Sequence, residues 1–306
     1  MATYTTFERE TLERYLIMFD LGTLLSYDAI SDGIENSNYF VRFEELEQEF
    51  VLTITEDLGF EDVAFFNDLL QRLANGGLPV PEPQRTLDGM SSTTFKMKPT
   101  WLFNRLPGVH PIEPSPEQCR QVGEVLAKLH ELSATARYQR DNAYSPGWAS
   151  DALQAVRSNL GETDAQNLTE TVERYVHYTN DDLPRGIIHG DLFRDNALFD
   201  GEKLSGVIDF YHACDDYLLQ DIAITLNDWC RDSGADDAAR IAALLEGYES
   251  VRPLLPAEKD ALDLFREFGA MRFALTRLLG GRTDNPVKNP REFLDLLAQF
   301  ARDQDT

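Results

Sequence analysis

Between residues 187 and 209 the chain carries a pattern that few folds accommodate. Two short apolar runs, Ile187-Ile188 and Ala197-Leu198-Phe199, bracket His189-Gly190-Asp191-Leu192-Phe193-Arg194-Asp195-Asn196. A third, Gly206-Val207-Ile208, leads into Asp209-Phe210. Apolar runs this short, separated by polar and glycine-bearing turns, predict strands rather than helices. We expect them at roughly 186–188, 196–199 and 204–208, interrupting flanks with helical periodicity. Asp191 and Asn196 stand five residues apart, and Asp209 follows at a spacing of thirteen.

The remainder of the chain divides around this insertion. Residues 5–19 have helical spacing, with Thr5 or Thr6 as cap and Leu12, Tyr15, Leu16 and Phe19 on one face. Segments 24–30, 38–43 and 49–55 are short, rich in aromatic and β-branched residues, and predict strands. Helical period returns from Glu61 to Ala74 and stops at Asn75-Gly76-Gly77. Pro79-Val80-Pro81-Glu82-Pro83 is extended; a hairpin around Asp88-Gly89 and a strand near 95–103 follow. After Leu106-Pro107-Gly108 helices dominate. Ser115-Pro116-Glu117 opens one that runs to about Ser133. Others are expected at 149–160, 164–179, 220–249, 257–280 and 290–302. The expected fold class is α+β with two lobes: residues 1–104, an antiparallel sheet plus helix, and residues 105–306, mainly helical. Helix, three strands, helix and two strands is the layout of a kinase small lobe.

The catalytic run fits that layout chemically. In-line transfer of a γ-phosphoryl group from ATP demands positioning and charge neutralisation more than covalent chemistry. Asp191, on a tight loop, would orient a substrate hydroxyl and take its proton. Asn196 offers a neutral carbonyl oxygen and Asp209 a carboxylate, hard ligands suited to Mg²⁺. His189 is expected to pack and hydrogen-bond the loop rather than titrate. His130 closes an amphipathic pattern and reads as a packed helix histidine.

Composition narrows the surroundings. Fifty-three Asp and Glu against 28 Lys and Arg leave a net charge of −25. That balance disfavours nucleic acid and anionic membrane surfaces as partners. Two readings of the acidity stay open: a solvated, soluble surface, or adaptation to a saline medium in which screening shortens self-repulsion. The three cysteines, Cys119, Cys214 and Cys230, show no metal-ligand spacing, and so few thiols suit a reducing cytoplasm. No stretch reaches the ~18 apolar residues of a membrane span, and the N-terminus lacks a signal-peptide pattern.

With these motifs in view, the chain resembles the aminoglycoside-phosphotransferase-like branch of the protein-kinase superfamily, whose mark is HGD. Within it, the chain is most similar to the kinase-like homoserine kinases. The residues carrying this are Gly33 to Val41, Phe50-Val51-Leu52-Thr53, Gly77 to Pro81, HGDLFRDNALFDG, IDFYHACDDYLLQDIAITLNDWC, and Met271-Arg272-Phe273 through Arg277-Leu278. The resemblance implies ATP and L-homoserine as substrates, Asp191 as base, and Asn196 and Asp209 as magnesium ligands. It also implies that Asp221 braces the catalytic loop through backbone hydrogen bonds.

One departure concerns the phosphate grip. Protein kinases and antibiotic kinases carry a lysine on the third strand; here Thr53 stands there, and no lysine precedes Lys96. The usual Lys–Glu pair therefore cannot form, and Glu61 and Asp68 have no such partner. Phosphate contacts are expected instead from the Gly33–Asn38 turn, including Asn36, Ser37 and Asn38, or from Arg42. For the acceptor, Asp195 or Asp228 with Asn227 would take an ammonium, and Arg272 or Arg277 a carboxylate. Alternatives remain: a kinase for choline, ethanolamine, a methylthio-sugar or an aminoglycoside, or a nucleotide-binding pseudokinase acting as an interaction module.

Overall fold

The computed structural model describes residues 5–30, 36–232, 234–280 and 289–304. Gly33 lies outside the described residues, as do the other positions at 31–35. Strands β1 (Leu24–Ala29), β2 (Asn36–Phe43), β3 (Phe50–Thr55), β4 (Thr93–Phe95) and β5 (Lys98–Asn104) form one antiparallel sheet in the order β1-β2-β3-β5-β4. Period-2 alternation gives this sheet two apolar faces. Tyr39, Val41, Leu52, Ile54 and Leu102 pack against Leu12, Tyr15 and Leu16 of α1 (Arg9–Leu16). On the opposite face Trp101 and Phe103 join α2 (Val63–Asn75).

α1 begins at Arg9 rather than near Thr5. Thr5 is occupied elsewhere: its N–H donates to Ser37 Oγ and Glu56, and its carbonyl accepts from Tyr39 Oη. A tight turn does form around Asp88-Gly89, where the Thr86 N–H donates to the Met90 carbonyl, but the strand expected near 95–103 is split into β4 and β5 by a turn at Lys96-Met97, both with positive φ.

The second lobe contains α3 (Pro116–Ser133), α4 (Pro146–Val156), α5 (Glu162–His177), α6 (Leu218–Trp229), α7 (Ala238–Glu249), α8 (Pro256–Leu279) and α9 (Arg291–Gln304). The Ser115 capping box and Pro116 start α3 as its sequence requires. α3 and α7 pack backbone to backbone: a Cβ at Gly123 would lie 2.0 Å from the Leu244 carbonyl, and one at Gly247 1.9 Å from that of Arg120. The helix expected over 220–249 is broken after Trp229 by a small hairpin, β10–β11 (Arg231–Asp232, Ala235–Asp236). Asp237 then caps α7 by accepting from the N–H groups of Ala239 and Arg240.

Four other short strands interrupt the helices. β6 (Arg185–Ile188) pairs with β9 (Cys214–Tyr217), and β7 (Ala197–Asp200) pairs with β8 (Lys203–Val207). β9 was not expected. One apolar cluster runs from α2 and Trp101 through α3 to Val207, Leu226 and Trp229, so the two lobes share a core. That places the catalytic loop directly beneath the sheet. Among the described residues, no helix is long and apolar enough to cross a membrane.

Candidate active site

The β7–β8 hairpin explains the spacing of thirteen. Ala197 pairs with Val207, and the Ile208 N–H donates to the Asn196 carbonyl at 3.0 Å. Asn196 and Asp209 thus emerge together at the open end of one hairpin. Asn196 Nδ2 donates to the Asp191 carbonyl at 2.7 Å and to Asp191 Oδ2 at 3.1 Å. With both amide protons turned toward Asp191, Asn196 Oδ1 accepts no hydrogen bond from any described residue. Asp209 has φ 65° and ψ 63°, a left-handed conformation that Asp tolerates better than most residues and that recurs at functional sites.

His189 is the pin of the loop. It is fully buried; Nδ1 accepts from the Asp191 N–H and Nε2 donates to the Ile208 carbonyl at 3.0 Å. Those bonds define a neutral tautomer, and burial pushes its pKa down to about 4. Gly190 has φ +76°, and a Cβ there would lie 2.8 Å from the His212 carbonyl. Glycine in HGD therefore answers both a conformational and a steric demand.

α6 braces the loop along one face. Asp221 accepts from the N–H groups of His189 (2.7 Å) and Gly190 (2.9 Å) and pairs with His130 Nε2 at 3.1 Å. Burial opposes its ionisation, but His130, His189 and those N–H groups hold its carboxyl below the ordinary value. Two turns on, Asp228 Oδ2 accepts from the Arg194 N–H at 2.7 Å, and Trp229 Nε1 donates to the Leu192 carbonyl at 3.0 Å. His130 in turn meets Tyr248 Oη at 2.7 Å, so it is a network member and not only a packed residue.

Several expected substrate contacts are otherwise engaged. The Asp228 carboxylate is committed to Arg194, and Asn227 to Arg266. AITLNDWC is thus a brace for the loop; its acid and amide face protein partners, which removes both from the ammonium site. Arg277 pairs with Glu292 on α9 and lies over Phe293. Asp195 is exposed in the turn between Arg194 and Asn196. Arg272 reaches the loop itself, donating Nη1 to the Gly190 carbonyl. Cys214 is buried and its thiol is pushed up to about 12, as an inert thiol requires.

On the sheet side, Asn38 pairs directly with Thr53, and Thr53 with Trp101, so the three share a face. Thr53 lies beside the Tyr211 hydroxyl, which places that face over the Asp209 loop. Asn36, on the same alternation, accepts from the Glu56 N–H at 3.4 Å. Ser37 points to the other face, and its hydroxyl donates to Glu56, which also pairs with Lys98. This corrects Ser37 as a phosphate contact and puts the small lobe's Lys–Glu pair away from the cleft. Arg42 is held by Glu49.

A residue that sequence reasoning missed fills the gap. Arg140 Nε pairs with Asp62 before α2 at 3.1 Å, and its Nη1 donates to the carbonyls of Tyr211 (2.9 Å) and Ala213 (3.0 Å). Its guanidinium lies over Phe66. Arg140 thus ties the small-lobe helix to the loop that carries Asp209. Nothing in its local sequence marks it; only the Asp62 and Tyr211 positions brought together by folding do.

A loop aspartate, an asparagine and a second aspartate at one hairpin end, under a five-stranded sheet, define a protein-kinase-like phosphotransferase. The chain belongs to the phosphotransferase enzyme family, to which residues 26–254 match. It is a small-molecule kinase that uses a hydroxyl acceptor. The homoserine kinase of Methylobacillus flagellatus is 39% identical to it over 279 residues, covering 91% of this chain and 87% of its own. That of Hyphomonas neptunium is 39% identical over 321 residues, covering 97% and 96%. The fold is also that of amicoumacin kinase hAmiN, solved with AMP-PNP and Ca²⁺, at a TM-score of 0.73, 15% identity, and coverage of 97% and 93%.

Proposed function

We propose that this chain transfers the γ-phosphoryl group of ATP to the side-chain hydroxyl of L-homoserine, giving ADP and O-phospho-L-homoserine. The observation that carries the reading is the Asp191–Asn196 pair. Both amide protons of Asn196 go to Asp191, which holds that carboxylate in place and turns the Asn196 oxygen outward. Asp191 is half-buried, and held this way its carboxylate orients the acceptor hydroxyl and takes its proton late in the transfer. Asn196 Oδ1 and the Asp209 carboxylate are a hard-oxygen pair that fits Mg²⁺, which when bound neutralises charge on the phosphates. Asn36, Asn38 and Thr53 face the nucleotide from the sheet; Asp195 and Arg272 flank the acceptor. Residues 1–104 and 105–306 are the two lobes. The homoserine kinases similar to this chain over nearly its full length support the acceptor.

The test is ADP release with ATP and magnesium across homoserine, choline, methylthioribose and kanamycin, in wild type and Asp191→Asn. Turnover with homoserine alone, lost in the variant, supports the proposal. Turnover with another acceptor instead refutes the acceptor; no turnover despite nucleotide binding refutes the kinase.

A further inference from the structure

Behind the catalytic loop lies a small cavity whose lining includes Asn142, Tyr144, Trp148, Gly190, Gln220 and Arg272. It has room for about one water molecule. Asn142 is satisfied: it donates to Asp216 at 2.5 Å and accepts from the Tyr144 N–H at 2.8 Å. Two other polar groups are not. Arg272, 7% exposed, spends Nη1 on the Gly190 carbonyl, while its buried Nε has no hydrogen-bond partner among the described residues. Nε and Nη2 form the side-on edge of a guanidinium, with two parallel N–H donors. The Tyr144 ring lies 3.9 Å from the guanidinium carbon and fixes its plane. Gln220, also 7% exposed, makes no side-chain hydrogen bond to any described residue. A buried donor without a partner is costly, and a cavity that sets one beside the Gln220 amide suits a polar ligand.

We infer that the Nε–Nη2 edge of Arg272 binds the carboxylate of the acceptor, with the Gln220 amide as a second contact. The cavity is then an anionic subsite that selects amino-acid alcohols over plain amino alcohols. The inference rests on the proposed homoserine kinase reading and deepens it. Reach agrees with it: Arg272 holds the residue before Asp191, about 3.8 Å away along the chain. A carboxylate and hydroxyl separated by three carbons span roughly 5 Å at ~1.5 Å per bond. A carboxylate on Arg272 would thus leave its hydroxyl within that span of the loop that carries Asp191. Because the cavity as it stands holds about one water, entry of the carboxylate requires the half-buried rings of Tyr144 and Trp148 that line it to move apart.

The test compares kcat/KM for L-homoserine with that for 3-aminopropan-1-ol, the same molecule without its carboxylate, in wild type, Arg272→Ala and Arg272→Lys. Loss of support for Gly190 slows both acceptors alike and cancels in the ratio. The preference for homoserine is expected to fall roughly 10- to 100-fold in Arg272→Ala, from the loss of charge-assisted hydrogen bonds. An unchanged ratio overturns the subsite. Inhibition constants of L-2-aminobutyrate and propylamine, which lack the hydroxyl, give the same ratio where turnover is too slow. Should Arg272→Ala fail to fold, Arg272→Lys and Gln220→Leu carry the comparison, each raising KM for homoserine but not for ATP. Wild type that turns over homoserine while both acceptors fall in parallel sinks the subsite alone. Wild type inert toward homoserine sinks the proposed function and the subsite with it.

Discussion

Asp221→Asn isolates the brace beneath the catalytic loop. The carboxylate is fully buried and serves three donors, Oδ1 the Gly190 N–H and Oδ2 both the His189 N–H and His130 Nε2. An amide of the same shape keeps one oxygen. Its best orientation leaves that oxygen on the His189 and His130 side and turns NH₂ against the Gly190 N–H. One hydrogen bond to a charged acceptor, worth about 1.5–3 kcal/mol, is lost, and a buried donor is left facing another. We expect a destabilisation of about 3 kcal/mol, read as a lower urea midpoint at constant m-value. Gly190 immediately precedes Asp191, so the loop shifts where the chemistry occurs. A misplacement of about 1 Å costs on the order of 100-fold in rate. Steady-state kinetics should show that loss in kcat, with KM for ATP and acceptor little changed. A folded variant with wild-type kcat would refute the reasoning, because the loop would then hold its geometry without the carboxylate.

Further outcomes follow from other contacts. Asp62→Ala and Arg140→Ala should couple by about 0.5–1 kcal/mol in a double-mutant cycle, the range for a partly exposed ion pair. Arg140→Ala alone should cost more, since two carbonyls also lose a charged donor; equal single costs would contradict this. His189, depressed to about 4 from an unfolded value near 6.5, binds its proton only when unfolded between those pH values. Its share of stability, about 3 kcal/mol, is present above pH 6.5 and lost as pH falls to 4, and the stability–pH slope of His189→Asn should be shallower there. Thr53→Lys should bring no gain in turnover, because it replaces a small side chain beside Tyr211 on the face that meets the Asp209 loop; a large gain would mean the site lacks only a lysine.

The parts of this site that were legible in the sequence are those in which local pattern and geometry coincide. The spacing of Asn196 and Asp209 is a hairpin, and a hairpin brings its two ends together whatever surrounds it. The Ser115 cap and the apolar faces of α2 and α3 are equally local. What failed were assignments that depend on which way a side chain points. Ser37 and Asn38 are neighbours in a strand, so a segment-level argument treats them alike, yet alternation sends one hydroxyl to Glu56 and leaves the other side chain on the Thr53 face.

The same limit governs α6. Asp221, Thr225, Asp228 and Trp229 are spaced at four, three and one, the spacing of one helical face, and three of them grip the catalytic loop. Residues that look diagnostic of an acceptor because they stand near the motif are diagnostic of how the motif is held. In the proposed site the acceptor meets groups the motif does not contain. Arg272 comes from α8 and has a buried Nε without a partner among the described residues, and Gln220 comes from the first turn of α6 beside it. Such a deficit is invisible in a sequence, where an arginine in a helix reads as an ion pair waiting to be assigned. It appears only after every neighbouring partner has been placed, and so the proposed acceptor contacts were the last part of this site to be legible.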